Sequence, residues 1–355
     1  FERGDYFFKQ PVVEQQIIDY IRNLPDAHED EGALQLDSEA VLKSIEAQHG
    51  LLVERARGIY SFSHLTFQEY FTSKQMTRPT PQLALELGNL ATHMKERRYR
   101  EIFLLTVGML PVADDLLGLM KQQTDLLVAD DPDLQTFLVW VDQKTISVEA
   151  PYKLVAVRAF YLFLVLALDL PPDHIRDLTF SLARALALPL ELDRVHDLAL
   201  DLDLTLALAL ERALALCRDL GHDRTVSALF SYDLDRDLDR AVEQASQSDL
   251  ELKLKIEALK AQLPDFEDRD QVVEQWWRGQ GEDWIVQLRA VMVGHRNTGH
   301  DWQLTVAQTE KLQQYYDTNK LLVDCLNSDC YVTKATRQQI EEMLLLPMSE
   351  IEKRR

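Results

Sequence analysis

Between Leu51 and Phe71 the chain changes its hydrophobic rhythm from a period of two to a helical period. Leu51-Leu52-Val53 and then Tyr60 and Phe62 read as two short strands, with Tyr60 and Phe62 two apart on one expected buried face. Arg57-Gly58 between them predicts a tight hairpin turn. Ser63 offers a hydroxyl where a helix N-cap is wanted, and Phe67, Tyr70 and Phe71 follow at helical spacing. Upstream, Val41, Leu42 and Ile45 predict a helix from Ser38 to Gln48, and Val12 to Leu24 predicts another. Helix, hairpin and helix in that order form a winged-helix module, which we bound at residues 1–78.

Arg78-Pro79-Thr80-Pro81 then reads as a linker, because prolines at alternate positions stop a helix and impose extended backbone. Helical periods follow at Leu83–Met94, Tyr99–Leu110 and Ala113–Leu126. Helices of this length joined by short turns predict a solenoid-like α-helical array over 79–264. From Leu198 to Leu210 leucine occupies every second position, nominally a strand pattern. Leu, Ala, Arg and Glu are strong helix formers and Thr205 is the one β-branched residue there, so a helix buried on several sides is expected. A leucine-rich-repeat-like strand is the alternative, without the Asn or Cys ladder such repeats need. From about Asp265 tryptophans and glycines replace the Leu-Ala-Asp repetition, and helices are expected at Thr305–Asn327 and Lys334–Leu346. Residues 265–355 are read as a helical C-terminal subdomain. The fold class expected is therefore mostly α, with one small β-hairpin in the N-terminal module.

Charge narrows the function. The 355 residues contain 38 Lys and Arg against 59 Asp and Glu, a net charge of −21. Such a surface repels phosphate backbones, and residues 1–78 carry 8 basic against 13 acidic residues. The helix in the recognition position has Glu39 and Glu46 against Lys43. Nucleic acid is disfavoured as a partner despite the module type. Three cysteines are too few for a disulfide framework and point to a reducing, cytoplasmic setting. The most apolar stretch, Leu154–Leu170, is broken by Arg158 and Asp169, so no membrane span is expected.

The string Tyr60-Ser61-Phe62-Ser63-His64-Leu65-Thr66-Phe67-Gln68-Glu69-Tyr70-Phe71 resembles the end of the winged helix in NACHT-type signal-transduction ATPases, prokaryotic relatives of NOD-like receptors, and cyanobacterial members above all. The likeness covers 1 to about 78. It continues more loosely to Leu321–Val332, which is similar to the family's Cys/His-containing C-terminal helical domain. No Gly-x-x-x-x-Gly-Lys-Ser/Thr occurs, so this chain lacks the phosphate-cradling loop. With Phe1 rather than Met at its start, the expectation is the C-terminal portion of a longer receptor that hydrolyses nothing by itself. The resemblance implies a regulatory and sensing role in antiphage defence, with ADP or ATP bound in the parent protein and no cofactor in this chain. It also implies the protein's own ATPase domain as partner, a protein or peptide trigger, and a homo-oligomer on activation. A ligand-sensing winged-helix transcription regulator is the competing reading.

His64 is the leading site residue. By resemblance it contacts the β-phosphate of ADP held by the ATPase domain, as half of a conformational latch; otherwise it caps the following helix through backbone bonds. Gln68 and Glu69 either help dock the winged helix on its neighbours or form a solvated helical face. Cys325 and Cys330, spaced Cys-x4-Cys, and His295 and His300, spaced His-x4-His, invite a zinc reading against the default of structural cysteines. A metal-dependent enzyme would need that zinc. Cys217 is expected in the core. Trp276, Trp277, Trp284 and Trp302 are the candidate partner contacts, with burial expected for at least two of them.

Overall fold

The computed structural model describes residues 1, 4–24, 30–169, 181–186, 190–191, 194–195, 197–218, 224–265 and 270–354. They group into two compact units, 1–119 with 328–333, and 120–327 with 334–355. These divisions fall elsewhere than 78 and 264. After the prolines at 79 and 81 the chain turns back, and α3 (Leu65–Met76) packs on α4 (Leu83–Thr92) and α5 (Arg100–Met109) within the first unit.

The first unit opens with β1 (Phe8–Lys9), α1 (Gln10–Arg22) and α2 (Glu31–Ser44), the last continuing as a π-helical turn through His49. α2 starts seven residues before the expected Ser38. Asp30 is its N-cap, accepting from the Ala33 N–H at 2.8 Å, while Ser38 is fully buried in mid-helix and bonds back to the Gln35 carbonyl. Glu14 on α1, also buried, accepts from Gln10 and Gln35 and so ties α1 to α2. β2 (Leu52–Ala56) and β3 (Ile59–Phe62) form the hairpin, with Gly58 at φ 71° in the turn. The hairpin becomes a three-stranded antiparallel sheet, order β1-β3-β2, because Phe8 pairs with Tyr60 and Lys9 with Ile59. Burial does not alternate on β3: Tyr60 and Ser61 are buried, whereas Phe62 is half-buried. α6 (Asp114–Ala129) spans the boundary between the units.

The second unit holds α7 (Pro132–Ser147), α8 (Leu154–Asp169), α9 (Ser181–Ala185), α10 (Leu198–Arg218), α11 (Arg224–Ala245), α12 (Leu250–Lys260), α13 (Asp270–Arg296), α14 (Val306–Asn327), α15 (Lys334–Met343) and α16 (Met348–Arg354). A two-residue pair, β4 (Leu190–Glu191) and β5 (Arg194–Val195), is antiparallel. The alternating-leucine segment is helix: α10 is buried on several sides and packs on α8, α11 and α13. Its leucines join Leu234, Leu238, Ile256, Trp277, Trp284 and Leu288 in one core. α10 and α13 cross where Gly281 has no side chain; a Cβ there would lie 2.7 Å from both Cys217 Sγ and Trp277 Cε3. Cys217 is half-buried at that crossing, and burial pushes its thiol up to about 11. Among the described residues no helix is long and apolar enough to cross a membrane.

A buried ionic cluster fixes four of these helices together. Asp203 on α10 has no exposed surface; its carboxylate accepts from Arg296 Nε on α13 at 2.6 Å, Tyr161 OH on α8 at 2.7 Å and Lys144 Nζ on α7 at 3.0 Å. Lys144 also donates to the Arg296 carbonyl at 2.5 Å, and Trp140 Nε1 to that of Asn297 at 3.1 Å. Burial lowers the Lys144 pKa, with Asp203 working the other way, and burial drives the Tyr161 hydroxyl well upward. Burial opposes the Arg296 charge, but Asp203 outweighs it and raises that pKa.

Replacing Asp203 by Asn leaves two cations facing a neutral amide. We expect a loss of about 3–5 kcal/mol, read as a lower urea midpoint at unchanged slope. Gly281→Ala, which forces a Cβ against the Trp277 ring, is expected to lose about 1–3 kcal/mol in the same measurement.

Candidate functional site

The junction between β3 and α3 is set by Ser63. Its N–H donates to the Leu51 carbonyl at 2.9 Å and its carbonyl accepts from Arg55 at 3.2 Å, so Ser63 ends the hairpin rather than capping the helix. The N-cap is one residue later. His64 has extended backbone (φ −133°, ψ 144°), and its carbonyl accepts the Phe67 N–H at 3.1 Å. Its imidazole makes no capping bond, is exposed, and lies edge-on to Phe67 with centroids 6.3 Å apart. His64 therefore caps α3 through its backbone, as the alternative expects, while its ring takes no part in the cap. An exposed imidazole at the positive end of a twelve-residue helix is suited to an anionic ligand.

Gln68 and Glu69 are not a solvated face; both are buried. Gln68 Nε2 donates to the Asp5 carbonyl at 3.0 Å, tying the approach to β1 onto α3. Ser73, on the same side, bonds the Ile102 carbonyl of α5 at 3.3 Å. Burial, and secondarily Glu101, raise the Glu69 pKa. The outer side of α3 carries Tyr70 and Phe71 instead.

The other candidates are dispersed. Among the described residues no three His, Cys, Asp or Glu side chains come together as a metal cage. His295 Nδ1 pairs with Asp249 at 2.9 Å and its Nε2 meets Lys255 at 2.9 Å, while His300 bonds Asn297 at 2.8 Å. Cys325 is fully buried on α14, and Cys330 lies in the 328–333 segment counted with the first unit. Trp277 and Trp284 are each 1% exposed, and Trp284 Nε1 donates to the Leu259 carbonyl, so both face the core rather than a partner. Trp276 and Trp302 are half-buried; Trp302 packs against Trp140, Phe137 and His300.

Residues 12–76 match the family described as the winged helix-turn-helix domain C-terminal to NACHT, and residues 252–347 match NACHT C-terminal helical domain 2. The chain carries the C-terminal region of a NACHT-family protein. Both matches are to non-catalytic domains, and residues 77–251 lie outside them. No curated protein and no solved structure matches the chain. Within this NACHT region, the first match ends with α3, so His64 and the buried Gln68-Glu69 pair fall inside it. The second takes in His295, His300, Cys325 and Cys330, and all the candidate tryptophans.

Sequence reasoning missed the Asp203 cluster and the polarity of α3. Asp203 alternates with leucines like a solvated position, and only its neighbours from other helices mark it as buried. A raised carboxyl pKa means that protonated Glu69 suits the fold, while ionised Glu69 opposes it as pH rises through the folded-state value. Glu69→Gln is therefore expected to stabilise the chain at pH 7, with the gain vanishing below about pH 4.5, the ordinary glutamate value. Melting temperatures of both proteins across pH 4–8 check this.

Proposed function

We propose that this chain is the regulatory and trigger-sensing portion of a NACHT-type signalling ATPase. His64 contacts the β-phosphate of ADP held in the ATPase domain of the same polypeptide and keeps the winged helix closed over the nucleotide. Exchange for ATP withdraws that contact, frees the winged helix and permits homo-oligomerisation. The helical region binds a protein or peptide trigger that favours exchange. The setting is the prokaryotic cytoplasm, in antiphage defence, and the chain needs no cofactor of its own.

One observation carries the reading: the His64 ring is exposed, uncapped and placed at the N-terminal end of α3. Imidazole N–H donors beside a helix N-terminus suit phosphate oxygens. The acidic character of α2, with Glu31, Asp37 and Glu39 against Lys43, supports this role over contact with a DNA backbone.

In the polypeptide that joins this chain to its ATPase domain, His64→Ala is expected to speed ADP release at least tenfold. The same change should leave the melting of this chain unaltered. Release of a fluorescent ADP analogue measures it, and an unchanged rate sinks the latch.

A further inference from the structure

We propose that the cleft between the start of α8, α15 and the end of α16 binds a small phosphorylated or carboxylated metabolite. Arg158 and Arg354 hold its oxyanion, and its uncharged body lies along Gln338 and Gln339. The site belongs to the second unit and does not rest on the reading of His64 given above.

The cleft has two compartments. The first, about 280 Å³, is lined by Leu154 and Arg158 of α8 together with Gln338, Glu342 and Arg354. The second, about 560 Å³, shares Gln338, Glu342 and Arg354 with it and adds Gln339 and Met343. Small-molecule sites run to roughly 300–1,000 Å³, so the pair is of a suitable size. Arg158 is 3% exposed and still lines the cleft. A cation that deep is costly unless its donors are used. Its Nε bonds Asp142 at 3.0 Å, and its Nη1 donates to the Leu344 carbonyl at 2.8 Å and weakly to the Glu342 carbonyl at 3.5 Å. The Nη2 N–H pair has no partner among the described residues and is not sealed from solvent. Arg354 is exposed, bonds the Glu342 carbonyl at 3.5 Å, and pairs with no carboxylate among the described residues.

The charges around the cleft choose the ligand. Burial lowers the Arg158 pKa, Asp142 raises it, and the like charge of Arg354 lowers it again, so the two guanidinium groups feel each other. Two glutamates also line the cleft, and both are engaged elsewhere. Glu341 pairs with Lys153 at 2.9 Å and Arg337 at 3.9 Å, while Glu342 accepts from Gln338 Nε2 at 2.7 Å. On a chain of net charge −21, two guanidinium groups with unused donors beside one cavity are a local exception. Guanidinium N–H pairs match oxyanions that present two oxygens, a geometry that carboxylate and phosphate share. The rest of the lining is neutral: the Gln339 amide and the Gln338 side-chain carbonyl suit hydroxyl groups, and Met343 gives an apolar wall. The ligand is therefore an oxyanion on a compact, uncharged, polar body.

Calorimetric titration of the 355-residue chain with inorganic phosphate, glucose 6-phosphate, glucuronate and glucose tests the site. Glucose 6-phosphate or glucuronate should bind with one equivalent, and glucose, which lacks the oxyanion, should not bind by about 10 mM. Binding of the two phosphates without glucuronate assigns a phosphorylated ligand, and glucuronate alone assigns a carboxylated one. Arg354→Gln should weaken the bound anion about tenfold and leave the melting temperature unchanged. Arg158→Lys keeps a charge beside Asp142 but removes the second N–H pair, and should weaken binding by a similar factor. If that variant fails to fold, the Arg354→Gln titration decides alone. The proposal is overturned if none of the three anions binds by about 10 mM, if glucose binds as tightly as its 6-phosphate, or if Arg354→Gln leaves the affinity unchanged.

Discussion

The second unit depends on one buried carboxylate. Asp203 receives donors from α7, α8 and α13, so helices far apart in sequence are fixed at one point by charge rather than by shape. An apolar core of leucine and alanine, as α10 supplies, packs in several registers at similar energy. A carboxylate that must meet Lys144, Arg296 and Tyr161 at once admits one. Its contribution is better understood as selecting an arrangement than as adding stability, since desolvating the charges offsets much of their attraction. Arg158 repeats the device with α15: it pairs with Asp142 at 3.0 Å and donates to the Leu344 carbonyl at 2.8 Å just past that helix.

The first unit is organised by a different constraint. There α3 buries three polar residues, Gln68, Glu69 and Ser73, and two of them are satisfied by backbone: Gln68 by the Asp5 carbonyl and Ser73 by the Ile102 carbonyl. Because those polar residues face inward, the aromatic residues of the same helix face outward. The reversal is thus one fact with two consequences. It ties the lead-in strand to α3, and it leaves rings on the surface next to His64.

Helix positions in this chain were legible where period and propensity agreed, and α10 was legible even where they disagreed, because Leu, Ala and Arg outweigh an alternating pattern. Boundaries failed where a side chain had tertiary employment. Ser38, expected at the start of its helix, lies buried within α2, and Ser63, expected as an N-cap, is held by Leu51 across the hairpin. β1, two residues long, shows no period at all; only its pairing with β3 reveals it. His64 was singled out by its motif, and the structure puts it at the head of α3 with its ring exposed. Gln68 and Glu69 were legible as important but not as inward-facing, because a helix with reversed polarity defeats the rule that reads polar as solvated. Two of the four tryptophans were expected in the core, but apolar bulk did not tell that Trp277 and Trp284 would be those two.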